Sequence, residues 1–183
     1  MPRPWAGYFT ARLLTVASFL TATLIGCGAS LPRDTRIGRV IDGDTIELTD
    51  GRLVRYIGID TPEMRRRAHP GDREWRSGEG EAWVLDPEPF AQAATDANRQ
   101  LVDGGPIRLE YDVQTHDRFG RLLAYVYVTP DGGSEVMVNA ELLKAGMAQT
   151  LTIPPDVKYA ERFRALAEEA RRARRGLWGV GED

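Results

Sequence analysis

Strand-forming segments come first in this chain, and most of the helical segments come later. Two β-rich runs, residues 36–48 and 53–59, are joined by Asp50 and Gly51, a pair typical of the turn of a β-hairpin. The alternation of strand and helix that builds a parallel sheet is missing from the pattern. The order of segments therefore predicts a fold of the α+β class.

The later segments are marked by helical or alternating spacing of apolar residues and by glycine and proline stops. They are a helix opened by Pro89 and closed by residues 104–106, strands at 107–113 and 122–129, a short helix that ends at Gly146, and a helix from about residue 156 to 175 stopped by Gly176. Between the two groups, residues 64–87 show no sustained strand or helix period. A loop of that length is typically functional or disordered, so it predicts either a lid with added phosphate contacts or a solvated surface loop.

The first 27 residues have the features of an export signal. Arg3 and Arg12 precede an uncharged and mostly apolar stretch that begins at Leu13. The stretch ends in Leu24-Ile-Gly-Cys27, which resembles the bacterial lipobox. We expect Cys27 to be acylated after cleavage, residues 28–35 to form a tether, and the protein to sit at the cell envelope, on an outer membrane or a cell surface. An uncleaved anchor or a plain secretory peptide is the alternative interpretation.

Cys27 is the only cysteine in the sequence, so no disulfide can form within the chain. The residues after the signal form one domain of ordinary size, predicted to be a monomer and stabilised by its hydrophobic core. Without the two arginines of the signal, the formal net charge falls from −3 to −5. An acidic chain does not attract nucleic acid as a whole, so any phosphate site must be built locally.

The chain's inventory of side chains excludes several kinds of catalysis. His69 and His116 lie in different segments, which leaves too few ligands for a zinc site, and no phosphate-binding loop is present. Carboxylates and arginines instead cluster in three places: Asp42-Gly-Asp44, Arg55 to Glu63, and Asp117 to Arg121. Such oxygen ligands suit Ca²⁺ or Mg²⁺ and arginine forks suit phosphate, although each cluster alone also fits an ordinary turn.

Taken in order, these clusters resemble the signature segments of staphylococcal nuclease-like domains. The resemblance rests on Val40-Ile-Asp-Gly-Asp-Thr-Ile46, Arg55-Tyr-Ile-Gly-Ile-Asp-Thr-Pro-Glu63, Asp117-Arg-Phe-Gly-Arg-Leu-Leu-Ala-Tyr125, Met137-Val-Asn139 and Arg175-Gly-Leu-Trp-Gly179. It covers residues 36–179, leaves 180–183 as a tail, and implies an OB-fold with a five-stranded β-barrel and about three α-helices. It further implies a Ca²⁺-dependent endonuclease that acts on DNA or RNA and leaves 3′-phosphate ends.

The same resemblance assigns roles to individual residues. Asp44, Asp60 and the Thr61 carbonyl would bind Ca²⁺, and Asp42 would orient a ligand or a metal-bound water. Glu63 would position or deprotonate the attacking water.

Arg55 and Arg121 would bind the scissile phosphate and stabilise the negative charge that develops on its oxygens in the transition state. Arg118 and Phe119 would contact the substrate. The segment 151–155, where the family archetype carries tyrosines, has none here, so stacking on a base or sugar is expected either to be weaker or to be supplied by Phe119.

Periodicity does not show that these residues meet. Arg55 and Asp60 differ by an odd number, which places them on opposite faces of a regular strand. Two other functions remain open: a catalytically silent OB-type module that binds nucleic acid or protein, and a structural envelope lipoprotein. The complete set of Arg55, Glu63 and Arg121 favours the enzyme, since a module freed from catalysis is expected to lose part of that set.

Overall fold

A computed structural model describes residues 35–67, 83–103, 105–130 and 133–179. The expected signal peptide with Cys27, nearly all of the tether and the tail at 180–183 lie outside the described residues. Within the described ranges, no helix is both long and apolar enough to cross a membrane.

The structure confirms the order of elements, with strands first and helices mostly later. The elements are β1 (Ile37–Val40), β2 (Thr45–Leu48), β3 (Leu53–Tyr56), β4 (Ile59–Asp60), β5 (Arg65–Arg67), β6 (Trp83–Leu85), α1 (Ala91–Val102), β7 (Ile107–Glu110), β8 (Leu122–Val128), β9 (Val136–Met137), α2 (Val138–Lys144), β10 (Gln149–Thr150), α3 (Ala160–Arg172) and a final 3₁₀ turn (Gly176–Trp178).

Five strands form one curled sheet in the order β1, β2, β3, β8, β7, and β9 adds to β8. Strands β3 and β8 run parallel, whereas β1 with β2, β2 with β3, and β7 with β8 are antiparallel. A bridge between Thr35 and Ile107 brings the two ends of the sheet towards each other. With its three helices this is an OB-type α+β fold, so the predicted fold class is confirmed.

The core lies between the concave face of the sheet and the helices. Five side chains of this core expose 1% of their surface or less: Ile46, Val54 and Leu109 of the sheet, Leu142 of α2 and Phe163 of α3. Burying one such side chain contributes about 1.5–3 kcal/mol. Because Cys27 is the only cysteine, this packing takes the place of a disulfide in holding the fold together.

Three predicted boundaries are wrong. Residues 64–87 were expected to contain no strand, yet β5 and β6 at the two ends of this segment pair antiparallel. Strands of three residues are too short to show a period, and their pairing depends on a partner distant in sequence. The middle of the segment, residues 68–82, lies outside the described residues.

The other two wrong boundaries are the end of β7 and the start of α3. At each of them an aspartate predicted to lie in a strand or a helix lies in a loop, where its carboxylate accepts hydrogen bonds from another segment. Strand β7 ends at Glu110, and Asp112 beyond it accepts hydrogen bonds from the Tyr125 hydroxyl at 3.0 Å and the Lys158 N–H at 2.9 Å. Helix α3 starts at Ala160 and not near residue 156, since the Asp156 carboxylate accepts the Gln114 N–H at 2.8 Å. The bonds from the Lys158 N–H and the Gln114 N–H join the loop after β7 to the loop before α3.

Candidate active site

Three segments converge on one side of the sheet. They are the loop between β1 and β2, the turn and extended segment that follow β3, and the loop before β8. A cavity of about 790 Å³ opens beside the second and third of these segments, and its lining includes Arg55, Glu63, Arg118, Phe119 and Arg121. The structure therefore brings together the three residues that were assigned to catalysis and the two that were assigned to substrate contact.

Asp44 is the buried carboxylate of the site, with no exposed surface. One oxygen accepts the Thr61 N–H at 3.0 Å, and the other accepts the Thr45 hydroxyl at 3.1 Å and the Arg55 guanidinium. Burial raises the pKa of the Asp44 carboxyl above its ordinary value, Arg55 opposes that rise, and the neighbouring Asp42 carboxylate adds to it. A positive charge placed beside Asp44 would thus be stabilised.

Arg55 bridges the two carboxylates that the resemblance assigns to the metal. One terminal nitrogen contacts Asp44, the other contacts Asp60, and the first lies 3.9 Å from a Glu63 oxygen. Burial lowers the pKa of the Arg55 guanidinium, but Asp44 and Asp60 more than offset this, so the net shift is upwards and the group stays charged.

The turn at Ile57 and Gly58 explains how Arg55 and Asp60 meet although their spacing is odd. Gly58 has φ of +83°, a left-handed conformation that favours glycine, and it interrupts the alternation between β3 and β4. A Cβ atom on Gly58 would lie 2.6 Å from Cε2 of Phe163 in α3, so the turn is also packed closely. The chain then continues into β4, which pairs with β10.

Glu63 is half-exposed at the mouth of the cavity, and its backbone is fixed by Glu88. The Glu63 N–H donates to Glu88 Oε2 at 3.1 Å, and the Glu63 carbonyl accepts the Glu88 N–H at 3.0 Å. Burial raises the pKa of the Glu63 carboxyl, Asp42 raises it further, and Arg55 partly counters both. A carboxylate with a raised pKa is a stronger base towards water.

Arg121 is oriented by Asp117 through a tight loop. Asp117 accepts the Arg121 Nε–H at 2.7 Å and the Arg121 backbone N–H at 2.9 Å. The same oxygen that binds the backbone of Arg121 accepts the Phe119 N–H at 2.9 Å. The Nε edge of Arg121 is thereby held, and its two terminal nitrogens have no hydrogen-bond acceptor among the described residues.

The parallel pairing of β3 with β8 places both arginines on one face. Arg55 lies opposite Leu123 in the register, and Arg121 precedes Leu123 by two residues. Because side chains alternate along a strand, residues two apart share a face. Arg55 and Arg121 are therefore directed to the same side of the sheet from neighbouring strands.

The far wall of the cavity is apolar. Phe119 and Ile153 are each 59% exposed and Leu151 is 37% exposed, and all three line the cavity. The Arg118 guanidinium lies 4.7 Å from the centre of the Phe119 ring. Leu151 and Ile153 belong to the segment 151–155, so aliphatic side chains here take the place of the tyrosines of the family archetype.

The chemistry of the donors fits a hard cation, although the described residues do not form a closed cage. Asp42, Asp44, Asp60 and Glu63 place four carboxylates near the single guanidinium of Arg55. That excess of negative charge and the oxygen ligands suit Ca²⁺. No three acidic, histidine or cysteine side chains of the described ranges are close enough together to hold a metal by themselves.

Two buried residues behind the carboxylates, Asn98 and Tyr56, are not among the site residues predicted from the sequence. Asn98 of α1 donates to the Asp42 carbonyl at 2.9 Å and accepts the Tyr56 hydroxyl at 2.9 Å, and burial raises the pKa of that hydroxyl. A signal for Asn98 is visible in the sequence. It lies four residues after Ala94 and four before Val102, so it is a polar residue on the apolar stripe of the helix.

Comparison with known proteins gives one family. The sequence model described as "Staphylococcal nuclease homologue" matches residues 53–180. The SPbeta prophage-derived endonuclease YokF of Bacillus subtilis (strain 168) is 35% identical over 150 residues, which cover 79% of this chain and 44% of that protein.

Two further relatives show a similar level of identity. The thermonuclease of Staphylococcus hyicus is 34% identical over 146 residues, covering 78% of this chain and 74% of that protein. Endonuclease YncB of Bacillus subtilis (strain 168) is 35% identical over 147 residues, covering 78% of this chain and 60% of that protein. The chain thus spans under half the length of YokF and about three quarters of the length of the thermonuclease.

Proposed function

The chain belongs to the staphylococcal nuclease family, and from this premise we propose that it is a Ca²⁺-dependent endonuclease that hydrolyses DNA or RNA with little sequence preference. One observation supports the proposal more than any other. Arg55, Glu63 and Arg121 come from three separate segments and line the same cavity. A fold that had kept only a binding role would not need all three, so the arrangement favours hydrolysis over a silent binding module.

Glu63 is placed to handle the attacking water. It is exposed enough to contact solvent, its backbone is fixed by Glu88, and its pKa is raised. In the proposed reaction Glu63 takes a proton from a water molecule as the water oxygen bonds to phosphorus. The bond from phosphorus to the 5′ oxygen breaks, a proton passes to that oxygen, and the products are a 3′-phosphate and a 5′-hydroxyl end.

Arg55 and Arg121 stabilise the phosphorus centre as negative charge builds on its oxygens. Both guanidinium groups reach the cavity from the same face of the sheet, and Asp117 fixes one edge of Arg121. Donors held in place before the reaction lower the barrier because they need no reorganisation. Arg118 and Phe119 hold the neighbouring part of the substrate by charge and by stacking.

Asp44, Asp60 and the Thr61 carbonyl are the residues that would hold Ca²⁺, with Asp42 behind them. When bound, Ca²⁺ supplies positive charge that neutralises the phosphate oxygens. Arg55 contacts both Asp44 and Asp60, which places these two carboxylates close together. The excess of carboxylates over guanidinium groups is what supports this assignment.

We extend the proposal to where the enzyme works. Leu24-Ile-Gly-Cys27 supports export and acylation of Cys27, so the nuclease would be tethered to the envelope by residues 28–35. One chain suffices for activity, since all the residues named above belong to a single copy. Growth with a radiolabelled fatty acid tests the anchor: label is expected on the wild type and absent from Cys27→Ser.

The test of the activity uses the full chain purified in detergent. It is incubated with single-stranded DNA or with RNA, in Ca²⁺ or in EDTA, beside Glu63→Gln and the control Glu161→Gln, which makes the same change at an exposed position of α3. We expect the wild type to cleave only with Ca²⁺. The cleavage rate should fall by at least about 100-fold in Glu63→Gln and stay at the wild-type level in Glu161→Gln. A folded wild type that cleaves neither polymer with any divalent metal would identify a binding module.

A further inference from the structure

The loop that carries Asp42 and Asp44 is supported from behind by two buried polar side chains. Asn98 has no exposed surface and Tyr56 is 2% exposed. Neither residue has a role in the proposed reaction, and the Tyr56 ring also packs in the hydrophobic core. The hydrogen bonds of Asn98 and Tyr56 therefore serve a purpose other than direct catalysis.

Both residues hold backbone carbonyls on either side of Gly43. The Asn98 amide donates to the Asp42 carbonyl at 2.9 Å, and the Tyr56 N–H donates to the Asp44 carbonyl at 2.9 Å. The Tyr56 hydroxyl donates to the Asn98 Oδ1 at 2.9 Å, which fixes the orientation of the amide. These three hydrogen bonds link α1, β3 and the loop.

The loop is closely packed at Gly43. A Cβ atom at this position would lie 2.6 Å from Thr61 Oγ1 and 2.9 Å from the Ala94 Cβ of α1. The loop is thus pressed between the segment that carries Thr61 and the same helix that carries Asn98. Packing against these two segments and the hydrogen bonds from Asn98 and Tyr56 together set the position of both aspartates.

We propose that Asn98, oriented by Tyr56, is a positioning residue that holds the Asp42–Asp44 loop in the geometry that binds the divalent cation. The inference rests on the proposed function, because it assigns Asn98 a task in the same site. Ligands already held in place bind a metal more tightly than ligands that must be ordered at binding. The expected consequence is a loss of Ca²⁺ affinity and not of the chemical step.

The test compares three variants in the full chain. Asn98→Leu removes both hydrogen bonds at similar volume, and Tyr56→Phe removes only the hydroxyl. Thr95→Val is the control, since Thr95 is buried in α1 but its hydroxyl donates to Ala91 of its own helix at 2.9 Å. For each protein, calorimetry gives the Ca²⁺ dissociation constant, and cleavage assays give the rate at saturating Ca²⁺ and the Ca²⁺ concentration at half of that rate.

We expect Asn98→Leu to weaken Ca²⁺ binding by about 10-fold, the lower end of what is typical for residues that orient metal ligands. Tyr56→Phe should weaken it less but in the same direction, the rate at saturating Ca²⁺ should stay near that of the wild type, and Thr95→Val should bind normally. Folded variants with unchanged Ca²⁺ affinity would overturn the inference. If Asn98→Leu does not fold, Tyr56→Phe decides alone.

The wild type separates this inference from the proposed function. A wild type that neither binds Ca²⁺ nor cleaves nucleic acid overturns both. A wild type that binds Ca²⁺ and cleaves, beside variants with the same affinity, overturns only the role of Asn98.

Discussion

Individual residues of this site owe their orientation to neighbours that the sequence pattern does not single out. Asp44 and Asp60 could be picked out from the sequence by their chemistry and by the resemblance. Asn98 is visible there only as a polar residue on the apolar stripe of α1, and its partner, the Asp42 carbonyl 56 positions away, could not be predicted. The same holds for Glu88, which fixes the backbone of Glu63 across 25 positions. Contacts between segments this distant are set by the fold and leave no local pattern.

Asp117 gives a prediction at the scale of one residue. Burial would raise the pKa of its carboxyl, but the bonds from Arg121 and Phe119 more than offset this and hold the pKa below its ordinary value of 3.8. A carboxyl whose pKa is lower in the folded state than in the unfolded state stabilises the fold at pH values above its unfolded-state pKa. That contribution is lost as the pH falls through the folded-state pKa.

We therefore expect Asp117→Asn to lower the free energy of unfolding by roughly 1 kcal/mol at pH 7, and by progressively less at an acidic pH well below the ordinary value of 3.8. Urea unfolding at the two pH values measures the difference. Asp103→Asn, at the exposed end of α1, is the control. A deficit in Asp117→Asn that is equally large at both pH values would show that the ionised carboxylate is not what stabilises the loop.

The elements explain how distant residues meet. The hairpin at Asp50 and Gly51, the three helices and the main strands could be predicted from spacing and from turn residues. The parallel pairing of β3 with β8 could not, because these strands are separated by about 65 residues in the sequence and neither carries a signal for its partner. That pairing and the Gly58 turn are what put Arg55, Asp60 and Arg121 on one side of the sheet.

The Gly58 turn gives a prediction at the scale of elements, with Gly51 as its matched control. Both glycines have nearly the same positive φ, +83° and +84°, but a Cβ on Gly58 would meet Phe163 whereas one on Gly51 would meet nothing within 4 Å. Gly51→Ala should cost about 1 kcal/mol for the strained backbone. Gly58→Ala should cost about 2–4 kcal/mol because overpacking against α3 is added.

Denaturant unfolding of the two variants measures this difference, and cleavage assays follow its effect on the site. We expect Gly58→Ala to lose activity as well, since the turn orients Arg55 towards Asp60, whereas Gly51→Ala should keep it. Equal stability losses in the two variants would mean that the approach of Phe163 does not constrain the turn.

The molecule as a whole is acidic, with 27 acidic against 24 basic side chains in the full sequence. We therefore expect its affinity for a polyanion to come from local positive charge, namely the few arginines around the cavity and a bound cation. Net charge could be read directly from the sequence, but the placement of Arg55, Arg118 and Arg121 around one cavity required the fold.

Salt dependence tests this distribution of charge. If Arg55, Arg118 and Arg121 are the groups that contact phosphates, the logarithm of the affinity for single-stranded DNA should fall with the logarithm of salt concentration with a slope of about −2. Titration of labelled oligonucleotide into Glu63→Gln, with salt varied at fixed Ca²⁺, gives the slope without cleavage. A slope several times steeper would show that a larger basic surface takes part in binding.

The central claim is that Arg55, Glu63 and Arg121 act as one catalytic site. The most direct test is single-turnover cleavage of a short single-stranded oligonucleotide at saturating Ca²⁺ by the wild type, Glu63→Gln, Arg121→Lys and the double variant. Each single change should slow cleavage by about 100- to 1,000-fold, and the double variant should be little slower than the worse single one, because residues that act as a unit are not additive. Single variants that cleave at the wild-type rate, or a double variant whose loss is the full product of the two, would contradict the account.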